Sequence, residues 1–251
     1  MFPFRRPKTI TYRNPRGNVW GDALTMLDSA HTLIAGATGC GKSTAIHAIM
    51  WSALSASPAS RQFVIIDMKR GVEMLRYRDL PHTITFARTT EEALSALRQV
   101  EAIMMARYDS IEGTNAVAYT GPKIHVVIDE LAFLLQNGGQ EAFRLLIEIS
   151  QLGRAAGVGL ILATQDPSRK VLPAALVKNM TCCLGLRCVS ATDSRQIVNV
   201  GGCELLPPHG VGILAQGADI RKIGVPCIPE VEQRERIEWW SDPRNYIVKR
   251  R

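Results

Sequence analysis

The chain has 251 residues, 21% of them charged and 46% hydrophobic, which allows one α/β domain with a full core and excludes a mainly disordered chain. No apolar run approaches the roughly 20 residues of a membrane helix, so we expect no direct membrane insertion and a cytoplasmic location. The formal net charge of +7 favours a polyanionic partner such as nucleic acid, although a basic surface can also serve solubility alone.

The chain divides into three predicted parts. Residues 1–30 are predicted to be an N-terminal extended segment or hairpin that leads into the core, because strand-forming residues 9–12 and 18–20 flank the turn sequence Asn-Pro-Arg-Gly. Residues 31–228 alternate between strand and helix patterns and form the predicted core domain. Residues 229–251 are predicted to be a C-terminal helix and a basic tail.

Residues 36–43 read G-A-T-G-C-G-K-S, which matches the phosphate-binding pattern G-x-x-x-x-G-K-[ST] without a gap. A short apolar strand at residues 31–35 precedes this loop and a helix at residues 44–51 follows it, as a P-loop requires. The glycines let backbone N–H groups point into one concavity, the lysine adds a cation for the β- and γ-phosphates, and the serine hydroxyl can ligate Mg²⁺. We therefore predict that ATP and Mg²⁺ bind here, with nucleotide contacts from Gly36, Ala37, Thr38, Gly39, Cys40, Gly41, Lys42, Ser43 and Thr44.

Two strands and a long helix follow the P-loop helix. Residues 61–68 and 82–86 read as strands of a buried sheet. Apolar residues recur at helical spacing over residues 91–108, so we predict an amphipathic helix there, capped by Thr89 or Thr90.

An apolar strand over residues 123–128 ends in two carboxylates, Asp129 and Glu130. This is the pattern of a Walker B strand, in which the aspartate helps to hold Mg²⁺ and the glutamate polarises the water that attacks the γ-phosphate. Such a strand end can also be merely solvated, but a P-loop in the same domain favours catalysis. We predict that Lys42, Asp129 and Glu130 are catalytic and that Ser43 and Asp129 hold the metal.

A helix over residues 140–152 and a core strand over residues 158–165 are predicted next. The strand ends in Gln165, which could sense the γ-phosphate, or could instead satisfy a backbone group at the strand end. Basic side chains follow at Arg169, Lys170 and Lys178.

The remaining predicted elements are a strand at residues 181–189, a helix at 193–200, strands ending at residue 214 and spanning 222–227, and a helix at 230–240. Strands that alternate with helices indicate an α/β fold with a mostly parallel sheet and helices on both faces.

The six cysteines show no C-x-x-C pair and no histidine at zinc-finger spacing. We predict that they are buried thiols in a reducing compartment, not a metal site or a disulfide framework.

Several longer motifs occur in a fixed order: H-T-L-I-A-G-A-T-G-C-G-K-S-T at residues 31–44, F-V-I-I-D-M-K at 63–69, L-P-H at 80–82, M-M-A-R-Y at 104–108, V-V-I-D-E-L-A at 126–132, R-A-A-G-V-G-L-I-L-A-T-Q at 154–165 and D-S-R at 193–195. This order resembles the motor domain of the FtsK/SpoIIIE family of DNA translocases, within the FtsK–HerA group, over most of the chain. The resemblance implies a RecA-like P-loop NTPase fold for residues 31–228. It also implies a homo-hexameric ring that hydrolyses ATP at subunit interfaces and threads double-stranded DNA.

The resemblance also implies an arginine finger supplied by a neighbouring subunit. Arg154 matches the favoured family position and Arg195 is the second candidate, although either could form an ion pair within its own subunit. The resemblance places DNA contacts after Gln165, where Arg169, Lys170 and Lys178 are the candidates. The chain departs from the family there: it has Asp166 and Thr192 where the family usually has arginine and lysine.

We expect neither an N-terminal membrane anchor nor a C-terminal winged-helix domain in this chain. We therefore expect a compact DNA motor from a mobile element that serves DNA transfer or packaging, and not a chromosome-segregating division protein. Two alternatives stay open: a polypeptide-secretion ATPase, or an ATP-dependent assembly protein that binds DNA without processive movement. The sequence identifies no protein that recruits the chain.

Overall fold

The computed structural model describes residues 19–69, 71–169 and 171–245. Its strands are β1 (His31–Ala35), β2 (Arg61–Ile66), β3 (Thr83–Ala87), β4 (Lys123–Ile128), β5 (Val158–Thr164), β6 (Cys182–Gly185), β7 (Val211–Gln216) and β8 (Asp219–Gly224). They form one eight-stranded sheet in the order β3-β2-β4-β5-β1-β6-β7-β8.

The first six strands of the sheet are parallel, whereas β7 is antiparallel to both of its neighbours. The central strands are apolar along nearly their whole length because both faces of the sheet are covered; every residue of β1 and β5 is buried. Parallel strands place their carboxyl ends at one edge of the sheet, and we call this the carboxyl edge. The opposite edge is the amino edge.

The helices are α1 (Val19–Asp28), α2 (Lys42–Ala56), α3 (Thr90–Thr114), α4 (Leu131–Leu152), α5 (Ala174–Val177), α6 (Ala191–Val198) and α7 (Glu230–Ser241). Buried side chains of α3, α4 and α6 pack on one face of the sheet, and those of α1, α2 and α7 pack on the other. The predicted α/β fold with a mostly parallel sheet and helices on both faces is confirmed.

The extended segment predicted at residues 18–20 is wrong where it can be compared, because α1 begins at Val19. Ala23, Met26 and Leu27 have the i, i+3, i+4 spacing of a helix and are buried in the cluster that contains α2. This packing outweighs the local preference of the segment for a strand. The rest of the predicted hairpin and the basic tail lie outside the described residues.

Helix α3 confirms the predicted amphipathic helix and its cap. The Thr89 hydroxyl accepts a hydrogen bond from the N–H of Glu92, whose carboxylate accepts one from the N–H of Thr89.

Helix α4 begins nine residues before the predicted helix, at Leu131. The sequence pattern breaks at Gly138 and Gly139, and Gly139 has φ 55° and ψ −142° inside the helix. The break is real, but helix continues on both sides of it. Among the described residues, no helix is both long enough and apolar enough to span a membrane.

All six cysteines are described and none is in a disulfide. Five are buried, as predicted, but Cys227, in the segment after β8, is exposed.

Candidate active site

The P-loop connects the end of β1 to α2 at the carboxyl edge of the sheet. Gly39 and Gly41 have φ values of 75° and 105°, which side chains other than glycine adopt with strain. Helix α2 begins at Lys42 without a side-chain cap, and its first intrahelical hydrogen bond runs from Ala45 N to Gly41 O. The N–H groups of residues 41–44, which precede this bond, have no helical acceptor and are available to an anion.

Lys42 is buried and folds back onto its own loop, where Nζ donates to Gly36 O at 2.8 Å and to Ala37 O at 2.9 Å. Burial lowers the pKa of Lys42. The charges of Glu130 and Asp129 oppose this effect, although no carboxylate of the described residues forms an ion pair with the ammonium group.

Gly36 lies where the P-loop passes against the β6–α6 connection. A Cβ atom added there would lie 2.8 Å from Cys40 Sγ and 2.8 Å from Leu186 Cβ. We expect Gly36→Ala to displace the loop at a cost of about 1–3 kcal/mol, which corresponds to a loss of roughly 5- to 150-fold in ATP affinity if the strain falls on the binding geometry. Titration with a fluorescent ATP analogue measures this loss.

The matched control for this prediction is Gly113→Ala. Gly113 lies in α3, where an added Cβ meets no atom within 4 Å. ATP affinity should stay unchanged in this variant, and an equal loss in both variants would contradict the steric explanation.

Asp129 directly follows β4 at the carboxyl edge and is fully buried. Lys69, which follows β2, places Nζ 3.0 Å from Asp129 Oδ2. Burial raises the pKa of Asp129, and the charge of Lys69 opposes that rise. Burial acts to lower the pKa of Lys69, but the attraction of Asp129 outweighs it and the pKa is raised. The two groups therefore favour the charged form in each other.

Lys69 has no predicted role from the sequence. Its signal is its position two residues after Asp67, whose carboxylate accepts hydrogen bonds from the N–H groups of Lys69 and Met74 and so shapes the turn after β2. A strand-end aspartate followed two residues later by lysine predicts a cation at this edge.

Glu130 and Gln165 connect the Walker B strand to the P-loop. Glu130 Oε1 accepts a hydrogen bond from the N–H of Gln165 at 3.3 Å, and Gln165 Oε1 accepts one from the Thr38 hydroxyl at 2.5 Å. A change at the P-loop can therefore reach Glu130 through a single residue.

The carboxylates at this edge fit a bound cation. Asp129 Oδ1 and Glu130 Oε2 are buried and have no hydrogen-bond partner among the described residues, an arrangement that is costly unless a ligand or water completes it. The described residues contain no cluster of three or more His, Cys, Asp or Glu side chains that could hold a metal. Mg²⁺ in nucleotide sites takes one or two protein ligands and completes its shell with phosphates and water.

Arg154 lies at the other edge of the sheet. It follows α4 and precedes β5, whereas Gln165 follows β5, and the seven residues of that strand separate the two by about 20 Å. The exposed Arg154 side chain lines a cavity of about 500 Å³ with Tyr119 and Lys123. Arg154 forms no ion pair with any described residue. Because it lies at the opposite edge of the sheet from the P-loop, the predicted catalytic residues are not all brought together within one chain.

Arg195 is exposed on α6, and its neighbours in the D-S-R sequence have structural contacts. Asp193 completes a capping box with Ser190. Ser194 is buried, where its hydroxyl donates to Val200 O and accepts from the N–H of Cys203. Only the arginine of this motif remains free to meet a ligand or another subunit.

The candidate DNA contacts lie in the segment that leads from β5 to β6. Arg169 and Lys178 are both exposed. Asp166, where the family usually has arginine, is also exposed, and its carboxylate accepts the N–H of Ser168 at 2.8 Å. Lys170 is not among the described residues.

Comparison with known proteins gives relatives of one family. Residues 8–121 match the family model described as FtsK/SpoIIIE family. The chain is 34% identical over 216 residues to a DNA translocase FtsK of Staphylococcus aureus, an alignment that spans 77% of this chain and 27% of that protein. It is 37% identical over 201 residues to DNA translocase FtsK of Halalkalibacterium halodurans, spanning 72% of this chain and 25% of that protein. The chain thus spans about a quarter of the length of these relatives.

Solved structures share the fold. The pCW3 conjugation coupling protein TcpA, solved with ATPγS, superposes with a TM-score of 0.75 at 22% identity, covering 85% of this chain and 65% of that one. The cytoplasmic domain of the type VII secretion ATPase EccC of Thermomonospora curvata has a TM-score of 0.69 at 27% identity, covering 81% of this chain and 26% of that one. With its P-loop, its Walker B carboxylates and these relatives, the chain belongs to the FtsK/SpoIIIE family of P-loop ATPases.

Proposed function

We propose that this chain is an ATP-driven translocase of double-stranded DNA that acts as a homo-hexameric ring. The observation that carries the proposal is the separation of Arg154 from the P-loop, because a ring can bring the amino edge of one subunit to the carboxyl edge of the next. Each ATP would then bind to one subunit and be completed by its neighbour. The relatives named DNA translocase FtsK support DNA as the cargo.

The residues at the carboxyl edge have distinct roles in this proposal. The P-loop N–H groups and Lys42 hold the phosphates, while Ser43 and Asp129 hold Mg²⁺, which neutralises charge on the phosphate oxygens. Glu130 accepts the proton of the attacking water as ATP is hydrolysed to ADP and phosphate. Gln165 reports the state of the γ-phosphate to Glu130, and Arg154 of the neighbouring subunit stabilises the charge of the transition state.

We further propose that Arg169, Lys170 and Lys178 contact the DNA backbone, and that the motor serves DNA transfer or packaging for a mobile element. The exposure of Arg169 and Lys178 and the net charge of +7 support a phosphate contact.

The test is the ATPase rate with and without long duplex DNA across a salt series. We expect DNA to stimulate the rate and the apparent affinity for DNA to fall as salt rises, because each phosphate contact adds about 0.9 to the slope of log affinity against log salt. Lys178→Ala should remove one phosphate contact and so lower the magnitude of that slope by about 1.

The matched control is Lys222→Ala, which removes a lysine from the antiparallel strand β8, outside the β5–β6 segment. A salt slope that falls equally in both variants would contradict a specific contact at Lys178.

The second candidate function is polypeptide secretion, favoured by the 27% identity to EccC. A rate unchanged by DNA at low salt but raised by an exported peptide would favour this function. A rate raised by neither, with ATP-dependent oligomers still formed, would favour an assembly protein without processive movement.

A further inference from the structure

Arg107 occupies a core position of α3. Val100 and Met104 precede it on the same helical face and are fully buried, and Arg107 itself is only 8% exposed. Burial lowers the pKa of Arg107, and it forms no ion pair with a described carboxylate. A guanidinium in such a place is costly unless other groups satisfy its donors.

Main-chain carbonyls satisfy those donors. Arg107 Nη1 donates to Ala156 O at 2.9 Å and to Gly157 O at 3.3 Å, and Nη2 donates to Pro122 O at 2.8 Å. The guanidinium also lies over the ring of Tyr119, 4.1 Å from its centre. Arg107 therefore ties α3 to the turn between α4 and β5 and to the segment before β4.

The turn that Arg107 contacts is the one that carries Arg154. We call residues 153–157 the finger turn. The hydroxyl of Tyr108 donates to Leu152 O at 2.7 Å, immediately before the turn. Within it, the carbonyls of residues 153, 154 and 155 accept the N–H groups of Val158, Gly157 and Tyr119, and Arg107 takes the next two.

Every main-chain carbonyl from residue 152 to residue 157 thus accepts a hydrogen bond. Gly153 has no room for a side chain, because an added Cβ would lie 2.5 Å from Ile149 O and 2.5 Å from Val158 O. The backbone of the finger turn is held at each residue, while the side chain of Arg154 is exposed and unpaired among the described residues. The contacts fix the base of this side chain and leave its guanidinium free.

We propose that Arg107 is a positioning residue that holds the finger turn, and so places Arg154 for the active site of the neighbouring subunit. This inference rests on the proposed function, in which Arg154 acts in trans. An apolar residue would suffice to pack α3 on the sheet; a buried guanidinium that binds three carbonyls serves to fix the geometry of the turn. Tyr108 assists with its single hydrogen bond.

The test is a mixture of two inactive variants. The recipient carries Arg154→Ala, so its ATP site is intact but it supplies no finger. The donor carries Lys42→Ala, so it turns over no ATP but supplies the finger. Each alone should be inactive, and mixed before assembly they should regain ATPase activity at the interfaces where the donor presents Arg154 to the recipient.

Arg107→Met is then added to one partner at a time. In the donor it should lower the regained rate about 10- to 100-fold, since a displacement of about 1 Å at a catalytic group has costs of this size, whereas in the recipient it should change the rate by less than about twofold. Arg107→Lys in the donor should give an intermediate loss, because an ammonium cannot reproduce the fork of the guanidinium. Tyr108→Phe removes one hydroxyl only and gives a second donor-specific test if Arg107→Met does not fold.

Arg144→Met is the matched control. Arg144 lies on α4 and pairs with Glu101 and Glu148 at the α3–α4 contact, without touching the finger turn. It should leave the regained rate unchanged in either partner.

Three results would overturn the proposal. Equal losses with Arg107→Met in donor and recipient would show that Arg107 supports only the fold. No loss in the donor would show that the finger turn keeps its geometry without the hydrogen bonds of Arg107. If the Arg154→Ala and Lys42→Ala variants regain no activity when mixed, the trans role of Arg154 fails and this inference fails with it, a result distinct from the first two.

Discussion

A Glu130→Gln variant should bind ATP normally and lose ATP hydrolysis by about 10²- to 10⁴-fold, the range associated with removal of a general base. The amide oxygen of glutamine can still accept the N–H of Gln165, which Glu130 Oε1 accepts at 3.3 Å, so the fold of the site should survive. What is lost is the ability to take a proton from water. Single-turnover hydrolysis and equilibrium binding of ATP, measured on the same preparation, separate the two effects.

Glu141→Gln is the matched control for this substitution. Glu130 directly precedes α4 and is buried, whereas Glu141 lies within that helix, at the protein surface, where it pairs with Arg98. Its removal should leave turnover unchanged. Near-normal hydrolysis by the Glu130→Gln variant would contradict the assigned mechanism.

An Arg154→Ala variant should lose about 10³- to 10⁵-fold in turnover, as arginine fingers do when removed. Its affinity for ATP and its melting temperature should be unchanged, because the exposed side chain makes no ion pair or hydrogen bond with the described residues. Steady-state ATPase rates, ATP titration and thermal unfolding together measure the prediction.

Arg195→Ala is the comparison variant, because Arg195 is the second candidate for the arginine finger. Both arginines are exposed, but Arg195 lies on α6, next to β6. Loss of turnover in Arg195→Ala with a normal rate in Arg154→Ala would move the finger to α6. A fall in ATP affinity in Arg154→Ala would mean that this residue acts on binding and not on the chemical step.

Much of the fold could be predicted from the sequence, because the hydrophobic periodicity and the capping and turn residues agree with the packing. Strand β1 has the predicted bounds, and the capping residues at Thr89 and Glu92 fix the start of α3. Helix α1 was not recognised although Ala23, Met26 and Leu27 have helical spacing, because strand-forming residues begin the segment and the burial of this face depends on contact with α2. The start of α4 was missed because the two glycines at 138 and 139 interrupt a helix without ending it.

The residues of the candidate site likewise fall into those that the sequence predicted and those that it did not. Contiguous motifs revealed the P-loop and the Asp129–Glu130 pair, whose residue types are dictated by phosphate and metal chemistry. Lys69 and Arg107 were part of recognised motifs but received no role, because their contacts with Asp129 and with the finger turn join segments far apart in the chain. For Arg107 a signal did exist: a cation in the apolar stripe of a helix must find buried acceptors.

The length of β5 between Arg154 and Gln165 has a consequence for a chain that has not yet found its partners. In the proposed arrangement a free subunit binds nucleotide but lacks the neighbour's Arg154, so it hydrolyses ATP very slowly. Specific activity would then rise with protein concentration and fall on dilution, without any unfolding. If Arg154 acts in trans as proposed, chains in excess of assembled rings would hydrolyse little ATP, and no separate inhibitor would be required.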